Sequence, residues 1–136
     1  MSGTHRAPLP RGTRILSIGL HPRTLDYGRM PEGVDEAGST TRIEAVNTAL
    51  RASGFTVVPC LVDASPEAAE RTVRALLAAD DFGLAMIGGG VRMMPEHTVL
   101  FERLVNVLVE AAPGIRFCFT TSPENTVEVL GRWVRR

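Results

Sequence analysis

Four short apolar runs mark the chain, and between them apolar residues return every three or four positions. The first run is Arg14-Ile15-Leu16-Ser17-Ile18-Gly19-Leu20; the others cover residues 55–62, 82–87 and 115–120. Near-continuous apolar runs of this length predict strands buried on both faces. Residues 41–53, 65–79, 95–112 and 122–133 carry the helical period. Ile43, Val46 and Leu50 form the stripe of the first helix, with Gly54 as its stop; Val73, Leu76 and Leu77 point inward from the second. Ser65-Pro66-Glu67 and Ser122-Pro123-Glu124 read as helix starts, and Pro95-Glu96 opens the third helix in the same way. A serine can cap the first turn, proline lacks the N–H that would have no partner there, and an acid meets the positive end of the helix dipole.

Strands alternating with helices predict one three-layer α/β/α domain with a four-stranded parallel sheet. Its span is 14–136, after a flexible tail over residues 1–13. Pro59 falls inside the second strand and cannot donate to a ladder, which places that strand at an edge. The flavodoxin-like order 2-1-3-4 puts it there, whereas a Rossmann order 3-2-1-4 would put it inside. The order 2-1-3-4 has its switch point between strands 1 and 3, where ligands gather at the carboxyl ends.

Two segments meet at that point. One is Ile87-Gly88-Gly89-Gly90-Val91-Arg92, at the exit of the third strand. Glycines there allow either close approach of a ligand to the backbone or tight packing of helix on strand, and Arg92 offers a planar fork for a carboxylate or phosphate. The other is the polar segment 21–40, longer than the usual βα connection of about 2–6 residues. It reads as a lid, as part of an oligomer interface, or as disorder. It carries His21, Asp26 and Tyr27, which with His97 are the candidates for proton transfer. Thr120 and Thr121, at the end of strand 4, join Gly88, Gly89, Gly90 and Arg92 as candidate ligand contacts. Glu96 and Ser122 are accounted for as helix starts.

The third helix is apolar over a wide arc: Leu100, Phe101, Leu104, Val105, Val107, Leu108 and Val109. A helix on one sheet needs a stripe of only about 100°. The surplus predicts a second contact, expected as a homodimer through the third or fourth predicted helix.

Composition removes several classes. Acidic and basic residues balance at 15 each, against a dedicated nucleic-acid binder. All the basic residues are arginine, so a Schiff-base lysine, a pyridoxal phosphate aldimine and a P-loop lysine are excluded. No run approaches the roughly 20 apolar residues of a membrane span, and the first residues lack the apolar core of a secretory signal. The expected location is cytoplasmic. Cys60 and Cys118 sit in apolar strands on opposite sides of the sheet and read as core residues, not as a disulfide or metal pair. There is no Gly-x-Gly-x-x-Gly after strand 1, no Ser/Thr-rich phosphate loop, no response-regulator aspartate at the end of strand 3 and no Asp-x-His-x-x-Gly cobalamin signature. No cofactor and no metal are expected.

The run from Ile87 through Arg92, continuing in Pro95-Glu96, Leu100-Phe101-Glu102, Asn106, Ala112-Pro113, Phe117 to Thr121, Pro123, Thr126 and Arg132-Trp133, resembles a family of small uncharacterised bacterial Rossmann-like proteins. Members of that family commonly carry Phe-Asn-Thr where this chain has Phe119-Thr120-Thr121. The resemblance implies a fold and a cytoplasmic setting but brings no activity. The expectation is therefore a site for a small anionic metabolite at the ends of strands 1 and 3, doing cofactor-free lyase, isomerase or hydrolase chemistry if it is an enzyme. The alternative is a non-catalytic ligand sensor or accessory module.

Overall fold

The computed structural model describes residues 8–136. Strands β1 (Arg14–Leu20), β2 (Thr56–Val62), β3 (Leu84–Ile87) and β4 (Arg116–Phe119) form one parallel sheet in the order β2-β1-β3-β4. This is the order that Pro59 predicts. Pro59 is in register with Ser17 of β1. The carbonyl of Val62 accepts from the His21 N–H at 2.9 Å. Alternation along β2 then turns the nitrogen of Pro59 to the free edge, where its missing donor costs the ladder nothing.

Helices α1 (Glu36–Ala52) and α2 (Pro66–Ala79) follow β1 and β2. A four-residue α3 (Gly89–Arg92) and then α4 (Thr98–Ala111) follow β3, and α5 (Thr126–Trp133) follows β4. The sheet separates two cores. Leu16, Ile18, Ile87, Val73, Leu104 and Leu108 pack on the face of α2 and α4. Ile15, Leu84, Met86, Leu50, Val129 and Leu130 pack on the face of α1 and α5. Right-handed crossovers from a central β1 require this division, because α1 runs toward one edge of the sheet while α2 and α4 run toward the other. Each fully buried leucine removed from water contributes about 1.5–3 kcal/mol.

Local chemistry sets the element ends, in places differently from the hydrophobic pattern. α1 starts at Glu36, not at residue 41, because the Asp35 carboxylate accepts from the Gly38 N–H at 2.8 Å. Its first turns lie in solvent and carry no apolar stripe for a pattern to find. The polar connection is thus 21–35, and it holds two 3-10 turns, Pro22–Thr24 and Tyr27–Arg29. The expected turn after β3 is helical over residues 89–92. The expected third and fourth helices each begin with a 3-10 turn, Pro95–His97 and Pro123–Asn125, ahead of α4 and α5.

The broad apolar arc of α4 serves two neighbours within the domain. Leu100, Leu104, Val107 and Leu108 are buried, with Phe101 and Val105 packed against the same core. Val73, Leu76 and Leu77 of α2 share that core, and at its edge Arg103 donates to Glu70 at 2.5 Å and Arg74 donates to Glu110 at 3.1 Å. Val99 and Val109 stay exposed, at 63% and 54%. Leu9 pairs with the chain end, its N–H donating to Trp133 at 2.7 Å and its carbonyl accepting from Arg135 at 3.0 Å. The remainder of the expected tail, residues 1–7, lies outside the described residues. Among the described residues no helix is long and apolar enough to cross a membrane.

Candidate functional site

A cavity of about 310 Å³ lies over the carboxyl ends of β1 and β3, on the α1 side of the sheet. Its origin is in the alternation of β1. Leu16, Ile18 and Leu20 fill the α2/α4 face, which leaves Ser17 and Gly19 as the outward pair toward α1. A Cβ built on Gly19 would meet nothing within 4 Å, and Gly19 has no positive φ to require glycine. Glycine weakens a strand interior, so the position marks space above the sheet. Ile43 and Val46 of α1 form one wall, Leu25 and Met30 of the 21–35 connection lie at the rim, and Thr120 and Thr121 close the side toward β4.

The three glycines after β3 divide their roles. A side chain on Gly89 would sit 2.9 Å from the Thr121 carbonyl, so this glycine is required by the close approach of α3 to the β4–α5 turn. Gly88 and Gly90 have more room, with nearest neighbours at 3.5 and 3.9 Å. All three line the cavity. The Gly88 N–H donates to the Ile18 carbonyl at 3.0 Å, tying the turn to β1.

The lining is mainly apolar, with polar groups at particular points. Thr120 is only 5% exposed, and its hydroxyl has no hydrogen-bond partner among the described residues; the Ser17 hydroxyl and Asn47 amide on the same lining have none either. Ser17 and Asn47 are half-buried and Thr120 is buried, and their polar groups are ones that a ligand or water in the cavity would meet. Thr121 Oγ1 accepts from Asn125 Nδ2 at 3.0 Å, and Thr126 donates to the Pro123 carbonyl at 2.5 Å.

The arginine on the cavity lining is Arg42, on α1. It forms a two-point ion pair with Glu124, joining α1 to the turn before α5. The hydrogen bond to Glu124 raises the Arg42 pKa, and the same bond holds the Glu124 carboxyl below the usual carboxylate value. Among the described residues Arg42 is the one charged side chain on the lining.

Arg92 lies elsewhere. Val91 is buried in the α2/α4 core, and Arg92, one residue on, extends to β4. Its guanidinium lies 5.5 Å from the Phe119 ring centre and 3.4 Å from the Thr120 carbonyl. Its Nε is buried without a partner.

The four proton-transfer candidates are also off the lining. His21 Nδ1 accepts from the Arg23 N–H at 3.1 Å as the cap of a 3-10 turn. Tyr27 donates its hydroxyl to the Pro22 carbonyl at 2.6 Å. Asp26 caps Gly28 at 3.2 Å and lies 4.0 Å from Arg29. His97 sits at the start of α4, and its neighbour Glu96 is 3.7 Å from Arg29. The structure thus brings Gly88, Gly89, Gly90, Thr120 and Thr121 together, and leaves Arg92, His21, Asp26, Tyr27 and His97 around them. The residues that sequence reasoning missed are Ser17, Gly19, Asn47 and Arg42. Gly19 had a signal, a glycine inside an apolar strand; Arg42 had only its place beside Ile43.

Cys60 and Cys118 are free thiols on the two edge strands, each in a different core. Burial pushes both up to about 12, which keeps them protonated near neutral pH. Among the described residues no cluster of His, Cys, Asp and Glu is placed to hold a metal. No protein-family model matches the chain, and no curated protein matches it, so the site's chemistry rests on its own geometry.

Proposed function

We propose that this protein is a small-molecule-binding module whose ligand enters the cavity over the ends of β1 and β3. The ligand has an apolar body and an anionic or hydrogen-bonding head. The observation that carries this reading is the space left by Gly19, walled by apolar side chains and furnished with the free polar groups of Ser17, Asn47 and Thr120. Pockets of about 300–1,000 Å³ with few, placed polar groups are the usual form of small-molecule sites. Binding without chemistry is the better supported form, because His21, Asp26, Tyr27 and His97 all lie off the lining.

The test is a thermal-shift panel of phosphates and of carboxylates with apolar groups, run on the wild type and on Gly19→Val. Valine suits a strand, and its Cβ meets open space, so the variant is expected to fold and to melt no lower than the wild type. The expected result is a ligand that raises the wild-type melting temperature and leaves the variant unmoved. Equal responses from both proteins would place the ligand elsewhere. A homodimer through α4 or α5 in the cytoplasm is the second part of the proposal, supported by the exposed Val99 and Val109 of α4. Light scattering on the eluting protein tests it, and a monomer at all concentrations removes it.

A further inference from the structure

Arg42 borders two hollows. Besides the cavity described above, it lines a more open groove of about 280 Å³ between α1 and α5. Glu124 lines the groove and not the cavity. The ion pair therefore stands at the boundary, with Arg42 lining both spaces and Glu124 lining one. Both side chains are more than half exposed, and ion pairs so exposed contribute little to stability. A guanidinium held by two parallel hydrogen bonds to a carboxylate is already in the geometry that recognises one. Across the cavity, Thr120 and Ser17 supply hydroxyls with no partner among the described residues, and Ile43, Val46 and Leu25 supply apolar surface.

Resting on the reading of the cavity as a ligand site, we propose that its ligand is an amphipathic carboxylate whose head takes Arg42 away from Glu124. In the unliganded protein Glu124 is the internal stand-in for that head. Exchange of one carboxylate for another keeps the charge on Arg42 balanced, and Glu124, already more than half exposed, is released at little cost. Glu124 moves into solvent on the groove side. The ion pair thereby excludes neutral molecules of the same shape less by size than by offering them no gain at Arg42, and it lowers carboxylate affinity by the fraction of time that Glu124 holds the guanidinium.

The probes are hexanoate and its neutral counterpart hexanamide, titrated at low salt into the wild type, Arg42→Gln and Glu124→Gln. The readout is the set of amide chemical shifts of Gly19, Gly88 and Thr120. The wild type is expected to bind hexanoate more tightly than hexanamide. Glu124→Gln is expected to tighten hexanoate by roughly two- to fivefold, the scale of releasing an exposed paired arginine, and to leave hexanamide unchanged. Arg42→Gln is expected to erase the preference while retaining hexanamide. Equal binding of the two probes in the wild type and in Glu124→Gln overturns the carboxylate assignment and leaves the cavity reading standing. No shift from either probe in any of the three proteins overturns both.

Discussion

Pro59, Gly19, Arg42 and Arg92 show why some residues can be read from sequence and others cannot. Pro59 acts through a missing N–H, a property of the residue itself, so it identifies an edge strand wherever it falls in an apolar run. Gly19 also carries a local signal, but its meaning depends on which face of β1 it occupies, and that follows only from the helices on each side. Arg42 and Arg92 act through direction. Arg92 extends from α3 to Phe119, and the packing of α1 brings Arg42 to the cavity. At this scale two measurements are direct. Leu104→Ala, at a fully buried position between α4 and the sheet, is expected to cost about 2–5 kcal/mol in urea unfolding. A loss under 1 kcal/mol, on the order of an exposed-surface change, would contradict the packing of α4. Cys60 and Cys118, with thiols pushed up to about 12, are expected to resist iodoacetamide in the folded protein near neutral pH and to react fully in denaturant. Rapid labelling of the folded chain would contradict their burial.

Among the elements, those whose hydrophobic stripe covers their whole length were the legible ones. α2 and its start at Ser65-Pro66-Glu67 are of that kind, with the Ser65 hydroxyl accepting from the Ala68 N–H at 3.4 Å. α1 is not, because its first turns are solvent-exposed and held by the Asp35 cap. Asp35→Ala is therefore expected to lower stability by about 0.5–2 kcal/mol, with the loss of amide exchange protection confined to the first turns of α1. The seam between α2 and α4 centres on Glu70, which accepts from Arg74 at 2.7 Å and from Arg103 at 2.5 Å. These two bonds hold the Glu70 carboxyl below its ordinary 4.5. A depressed folded-state value stabilises the fold above the unfolded value and ceases to do so once pH falls through the folded one. Melting temperature is thus expected to decline below about pH 4.5, less steeply in Glu70→Gln than in the wild type. Identical slopes for the two proteins would show that the seam contributes nothing to the acid limb.

For the molecule as a whole, topology was the most legible feature. Alternating runs, right-handed crossovers and one proline lead to the order β2-β1-β3-β4 and place the switch point where the cavity lies. The hollow itself was not legible, since it arises from the meeting of Ser17, Gly19, Gly88 and Thr120 with the inner face of α1, four segments distant in sequence. The broad apolar arc of α4 shows the converse limit. Its width predicts a contact beyond the sheet, and Val73, Leu76 and Leu77 of α2 share its core within the same chain. The central claim is that the hollow receives a ligand. The most direct measurement is a fragment screen read by amide chemical shifts across the whole chain, on the wild type and on Gly19→Val. The account predicts binders whose shifts centre on Gly19, the Gly88 to Gly90 turn and Thr120, and which are lost in the variant. Shifts centred elsewhere, or retained unchanged in Gly19→Val, would contradict it.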